Sequence, residues 1–458
     1  MIELAPTRSD SDLRRGSEGL GGPAGSHMAE AGWWNPLRAV LIAGSVVYGL
    51  GLVLTSSCAS NGWVDPDRLY HLCYSDVPVL YELRGLADGL IPYLEWPQGA
   101  QPLEYPVLIG GFMYVAAGIT SALTGAGTSA VVFYYVTAIA LFAFFLVALA
   151  ATSLTVRGRM WDGMLLAVAP SVALASTINW DWLAVALTAL ALLAWSRRMP
   201  LWAGVALGLA VSAKFYPLLL LGPMFLLCFR AGRLRQWALL ATATVGSWAV
   251  VNIPLAVASP EGWSYFFRFS AERGQDYGSV WLALEIAGLD LSGVNALALG
   301  SFVALCAGIA ALILMAPVRP RVAQVAFLII AAFLVTNKVY SPQFVLWLLP
   351  LAVLARPRWR DIIWWQVAEV VYFVSIWWYL VSFTEAKTGL PESVYAVAIL
   401  VHIVATLALA ALVVRDILIP RFDPVRSDGV PLHQDDPGGG VLDGAKDRWA
   451  LRRRSSTV

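Results

Sequence analysis

"RRMPLWAGVALGLAVSAKFYPLLLLGPMFLLCFR", residues 197–230, holds the reading of the whole chain. Arginines stand at both ends, and the apolar run between them is interrupted by Lys214, Phe215, Tyr216 and Pro217. An ammonium group at the centre of a bilayer helix is unfavourable by roughly 2.5–3.5 kcal/mol on insertion scales. Pro217 lacks a backbone donor and biases Tyr216 away from helical geometry. The stretch therefore predicts two short helices, 201–213 and 215–229, joined by an irregular corner. Lys214 then lies near the outer face or in a wet cavity opening to it.

The rest of the chain extends this reading. Its 458 residues are 59% hydrophobic and only 13% charged, and mean hydropathy is +0.69. Soluble domains carry about 25% charged residues. Apolar segments recur at 38–55, 106–124, 129–155, 161–178, 182–196, 236–255, 292–315, 322–336, 343–355, 361–383 and 393–414. The fold class is an all-α polytopic membrane protein with about 12 spans. Residues 1–30 and 421–458 are polar and rich in Gly, Ser, Arg and Asp, and are expected to be disordered cytoplasmic tails. The membrane domain is expected over 31–420, with outer loops at 56–105 and 256–290.

Arginines orient the spans. Arg157/Arg159, Arg197/Arg198, Arg230/Arg233/Arg235, Arg319/Arg321, Arg356/Arg358/Arg360 and Arg415/Arg421 mark the inner side. "NWDW" (179–182), "KFYP" (214–217), "TNKVYSPQ" (336–343) and the 256–290 loop then face outward. Before residue 157 the alternation fails: either one segment between 106 and 155 is re-entrant, or the count is off by one.

The chain has four lysines against 27 arginines, and Lys214 and Lys338 both interrupt apolar sequence. Ionisable residues at membrane depth are functional candidates by default. Asp76, in "YSDVPVLY", stands among aromatic and apolar neighbours in the first outer loop, which also holds His71, Glu104 and Tyr105. Asn179, Asp181 and Trp182 form a polar island on the same side. Tyr340 and Gln343 accompany Lys338, Tyr216 follows Lys214, and Arg268 lies in the second outer loop. Most of the loop acids read as solvated surface, "NWDW" also suits an interfacial anchor, and either lysine also suits a snorkelling helix end. Carboxylates and lysines meeting at a membrane surface suit a phosphate-bearing lipid substrate: lysine as point charge for phosphate, carboxylate as base. There is no phosphate-binding glycine loop, no HExxH and no paired CxxC. His71 and His402 are too isolated for a metal cluster, so no cofactor is required; a divalent ion on Asp76 and Asp181 stays open. Cys58 and Cys73 share the first loop and can pair in an oxidising exterior. No nucleic-acid partner is expected.

Asp76, "GLIPY" (89–93), "LEYPVL" (103–108), the 197–223 pattern and "NKVYSPQFVLWLLPL" (337–351) together resemble the GT-C superfamily, specifically glycosyltransferase family 87. These are the polyprenyl-phosphate-dependent mannosyl- and arabinofuranosyltransferases of actinobacteria. The chain departs from the family in having one proline after Tyr105 where two are frequent. The resemblance implies a GT-C fold whose large first outer loop carries juxtamembrane helices and the catalytic base, matched here by Asp76. It also implies a lipid-linked sugar-phosphate donor, a glycolipid or cell-envelope glycan acceptor, and inverting transfer on the outer face of the plasma membrane. The Lys214 corner would help hold the donor phosphate, with Lys338 and Arg268, and Trp180, Trp182 and Tyr216 would stack on sugar or lipid. The alternatives are a transporter or lipid flippase, whose internal repeats are not evident here, and an undecaprenyl-linked glycan polymerase or ligase, disfavoured because the largest outer loop comes first.

Overall fold

The computed structural model describes residues 15, 35–125, 128–289, 291–384, 388–427 and 434–451. Apart from Arg15, the expected N-terminal tail lies outside these. The described elements are all helical, with no strand among the described residues. Six helices are long and apolar enough to cross a membrane: Pro36–Asn61, Val107–Thr124, Ala130–Thr155, Leu234–Ala258, Val294–Met315 and Glu392–Leu418. Shorter apolar helices, among them Asp181–Ser196, Pro200–Ala213 and Val322–Thr336, pack between them. This is a multi-pass membrane architecture.

Local chemistry sets the boundaries. Asn35 Oδ1 accepts from Arg38 N at 2.9 Å and opens the Pro36–Asn61 helix, which ends at Gly62 in the left-handed region (φ 74°). Side-chain caps and a left-handed glycine satisfy the orphan backbone groups of helix ends. The corner expected from the opening stretch is present. The Pro200–Ala213 helix stops at Lys214, whose backbone is extended (φ −149°, ψ 146°). A 3₁₀ turn, Tyr216–Leu220, then leads into the helix Leu221–Ala231. Gly204 and Gly208, four residues apart, let this corner-bearing helix approach Leu234–Ala258: an added Cβ would fall 2.3 Å from Leu240 O and 2.2 Å from Thr244 O. Small residues at this spacing allow close backbone contact between membrane helices.

The bundle has two chemically distinct ends. At one, Tyr105 and Tyr134 both reach the 177–179 turn: Asn179 Nδ2 donates to Tyr105 OH at 2.5 Å, and Tyr134 OH to Thr177 Oγ1 at 2.9 Å. At the other, Arg197 Nη2 donates to Leu154 O at 2.7 Å. Val107–Thr124 and Ala130–Thr155 thus both begin at the first end.

The expectation of a disordered tail at 421–458 is corrected for its described part. Asp423 receives Arg321 at 2.7 Å, Asp435 receives Arg319 at 2.8 Å, and Asp447 receives Arg319 at 2.6 Å and Arg230 at 2.8 Å. Asp436 Oδ2 accepts from Val322 N at 2.8 Å. Arg230, Arg319 and Arg321 are buried. A buried guanidinium without a counter-charge is strongly unfavourable, so these acids bind the tail to the bundle despite its polar composition. Gly440 lies against the Trp195 carbonyl, where a Cβ would fall 1.9 Å from the oxygen.

In the first outer loop, Cys58 and Cys73 form a disulfide with Cα atoms 6.1 Å apart. It fastens the loop three residues before Asp76 to the end of the first long helix.

Candidate active site

Ser75 is the N-cap of the Asp76–Leu83 helix: its Oγ accepts from Val77 N at 3.2 Å and donates to Thr177 O at 2.6 Å. The Asp76 N–H donates to Ile178 O at 2.8 Å. Two bonds thus pin the helix start to the turn before Asn179, and the Asp76 carboxylate follows. Its Oδ1 accepts from Tyr74 OH at 2.8 Å and its Oδ2 from Asn179 Nδ2 at 2.9 Å. Tyr74 is itself held, stacked on Trp377 with ring centroids 4.7 Å apart and flanked by the Arg68 guanidinium at 5.3 Å.

Asn179 links this carboxylate to the lysine of the corner. Its Oδ1 accepts from Trp180 N at 2.6 Å and faces Lys214 Nζ at 3.5 Å. Lys214 Nζ lies 3.4 Å from Asp181 Oδ1, 4.9 Å from the Tyr105 ring centroid and 6.0 Å from that of Trp347. Asp181 is fully buried, and its Oδ1 also accepts from Trp347 Nε1 at 2.7 Å. Lys214 thus sits between a buried carboxylate and aromatic faces that favour a cation, with 12% of its side chain exposed. This answers how an oily run keeps an amine: the corner turns Lys214 toward partners brought by the 177–182 turn.

Burial pushes the Asp76 carboxyl above the ordinary range. The hydrogen bonds from Tyr74 and Asn179 and the charge of Lys214 oppose that shift, while Asp181 reinforces it. A carboxylate raised in this way is a better proton acceptor than one in water. Ionised, it has about four lone-pair positions. Tyr74 and Asn179 take two, so lone pairs remain to accept from an incoming hydroxyl.

Several sequence candidates go elsewhere. Glu104 pairs with Arg84 at 2.8 Å and ties the Tyr105 strand of chain to the end of the Asp76–Leu83 helix, a positioning contact. Trp182 is fully buried, edge-on to Phe145 at 4.8 Å. Tyr216 is buried and stacked on Trp347 at 4.5 Å, with its hydroxyl 3.2 Å from Thr188 Oγ1. Neither ring presents a face to a sugar. Lys338 donates to the carbonyls of Ser270, Ala271 and Arg273 at 3.2, 3.3 and 2.5 Å, capping the Pro260–Glu272 helix. Its ammonium is spent there, and no bond joins it to Asp76 or Lys214. Arg268 is exposed on that same helix and donates to Glu261 O at 3.3 Å. His71 is exposed after the short helix Asp67–Tyr70. Tyr340 is buried against His402 at 4.5 Å, and Gln343 is buried in the next turn. Tyr74 and Trp347 escaped the sequence reading. Tyr74, two residues before Asp76, carried the only available signal. Among the described residues no three His, Cys, Asp or Glu side chains gather as metal ligands.

Comparison with known proteins now bears on this geometry. The model of glycosyltransferase family 87 matches residues 105–336, half of the chain. The chain belongs to glycosyltransferase family 87. The family match takes in Tyr105, Asn179, Asp181 and Lys214; Asp76 precedes it and Lys338 follows it. No curated protein matches. Among solved structures, the chain is similar to ArnT from Cupriavidus metallidurans bound to undecaprenyl phosphate: 17% identity, 80% of this chain and 77% of that chain covered, TM-score 0.40. The apo state of that ArnT gives 16% identity, 74% and 72% coverage, and a TM-score of 0.38.

Proposed function

We propose that this family 87 member transfers a sugar, mannose or arabinofuranose, from a polyprenyl-phosphate donor to a glycolipid or cell-envelope glycan acceptor. Transfer takes place at the outer face of the plasma membrane. The observation that carries the reading is the Asp76–Asn179–Lys214 constellation, the carboxylate of a half-buried residue and an amine bridged by one amide. Family membership and the arginine asymmetry of the loops support it.

Asp76 takes the proton of the acceptor hydroxyl as that oxygen bonds to the anomeric carbon. The bond from that carbon to the phosphate oxygen breaks on the opposite face, so configuration inverts and polyprenyl phosphate leaves as an anion. Lys214 stabilises the charge that develops on the phosphate, in a setting where one positive charge is worth more than in water. Asn179 and Tyr74 hold the carboxylate, and Asn179 keeps it from collapsing onto Lys214. Asp181 with Trp347 fixes the lysine.

The test is reconstitution in liposomes with polyprenyl-phosphate mannose and polyprenyl-phosphate arabinofuranose offered separately. One donor is expected to be consumed, with release of polyprenyl phosphate matching formation of a product of inverted anomeric configuration. Consumption of neither donor with membrane acceptors present, or a product of retained configuration, overturns the reading.

A further inference from the structure

The arginine end holds a cleft of about 1010 Å³ that the transfer reaction does not use. It opens where the Leu221–Ala231 helix, the turn after Val294–Met315 and the folded tail meet. Six cationic side chains and two carboxylates line it, an excess of four positive charges.

The cations fall into two sets. Arg230, Arg319 and Arg426 are buried and form the floor. Arg230 bonds Asp447 and the carbonyls of Ile313 and Ala316, at 2.7–3.0 Å. Arg319 bonds Asp447, Asp435 and the carbonyls of Ala445 and Leu442, at 2.6–2.9 Å. Arg426 donates through Nε to Asp435 O and through Nη2 to Arg319 O. Its Nη1 has no partner among the described residues although the residue is only 4% exposed. The second set, Arg421, Lys446 and Arg448, is exposed around the mouth. None of these three forms an ion pair among the described residues. Both carboxylates of the cleft are already engaged by the floor arginines, so the rim cations have no counter-charge.

Isolated surface cations are simply solvated. Here the excess is concentrated in a concave site beside an orphaned buried guanidinium N–H. Charges in a cleft focus potential and raise the local concentration of anions. Phosphate oxygens match guanidinium and ammonium donors. We infer that this cleft binds a phosphate-bearing anion, taken either from an anionic lipid headgroup at the adjoining membrane surface or from a soluble phosphate compound. The rim cations recruit it to the cleft whose floor Arg426 helps to form. The inference is independent of the sugar-transfer reading, because its readout is binding at the opposite end of the bundle.

The experiment uses the full chain, stripped of lipid in detergent and examined by native mass spectrometry. Dioleoyl phosphatidylglycerol, dioleoyl phosphatidylcholine and inorganic pyrophosphate are added back separately. The comparison protein carries Arg421→Gln, Lys446→Gln and Arg448→Gln, all exposed, with the floor arginines kept. Tighter binding of phosphatidylglycerol than of phosphatidylcholine identifies a headgroup; pyrophosphate binding without that preference identifies a soluble anion. Either is expected to weaken by about 100-fold in the triple variant, from roughly fivefold per charge removed. The single charge reversal Lys446→Glu is expected to weaken it in the same direction. Absence of both a phosphatidylglycerol preference and pyrophosphate binding overturns the inference, as does unchanged affinity in the variants.

Discussion

An aspartate at each end of this bundle accepts hydrogen bonds through both oxygens, yet the two are held in opposite ways. Asp423, at the arginine end, has no exposed side-chain surface and faces Arg321 through both oxygens, at 2.7 and 2.9 Å, with Gln324 Nε2 at 3.2 Å. Its charge is matched where it sits. Asp76, at the other end, has only neutral donors against it, and the nearest cation is kept one amide away. Full pairing makes a structural joint. Partial pairing leaves a carboxylate whose charge is costly in the resting protein and whose lone pairs stay available to a substrate proton. Strained or under-satisfied groups collect at functional sites because the surrounding fold holds them there.

The comparison breaks first on one substitution made twice. Asp423→Asn removes the counter-charge of a buried guanidinium and is expected to cost about 3–5 kcal/mol. A sharp fall in melting temperature or in folded yield checks it. Asp76→Asn keeps the shape, and the new amide can still bond Tyr74 and Asn179, so no loss of melting temperature is expected. The sign follows from the raised pKa. A carboxyl raised on folding contributes stability below its unfolded value, and that contribution is lost as pH rises through the folded value. Asp76→Asn is therefore expected to melt at or above the parent, by a margin that grows from about pH 4 upward. A melting scan of both variants across pH checks the contrast.

Smaller effects sharpen it. Cys58→Ser with Cys73→Ser opens a 15-residue loop and is expected to cost about 3 kcal/mol, read as a lower melting temperature that reductant reproduces in the parent. Lys214→Gln is expected to lower transfer by roughly 10²-fold and, because it strips buried Asp181 of its cation, to lower the melting temperature as well, so transfer is compared per amount of folded protein. Arg360→Gln removes an ion pair whose arginine side chain is 57% exposed; within about 0.5 kcal/mol, stability should not move.

Much of the fold was legible in the sequence because long apolar runs bounded by arginines, prolines and polar turns leave little freedom. The corner at Lys214 followed from one proline and one charge. The folded tail was not legible. Its composition resembles a solvated segment, and nothing local shows that Asp423, Asp435 and Asp447 answer arginines up to 217 residues away. At the site, Asp76, Asn179, Asp181 and Lys214 were picked out as polar residues in apolar surroundings, and they converge. The same signal misplaced Lys338 and Glu104, which are bound to helix-end carbonyls and to Arg84. A polar residue near a membrane helix end looks alike in sequence whether it serves a substrate or its own backbone. Only the partner distinguishes the two.

The central claim is that Asp76 accepts the proton of the acceptor hydroxyl. Its most direct measurement is the rate of sugar transfer from polyprenyl-phosphate donor in membranes carrying Asp76→Asn, beside parent membranes with matched amounts of protein that melts normally. Removal of a general base is expected to slow transfer by roughly 10²–10⁴-fold. A well-folded Asp76→Asn protein that transfers sugar within twofold of the parent would contradict the account.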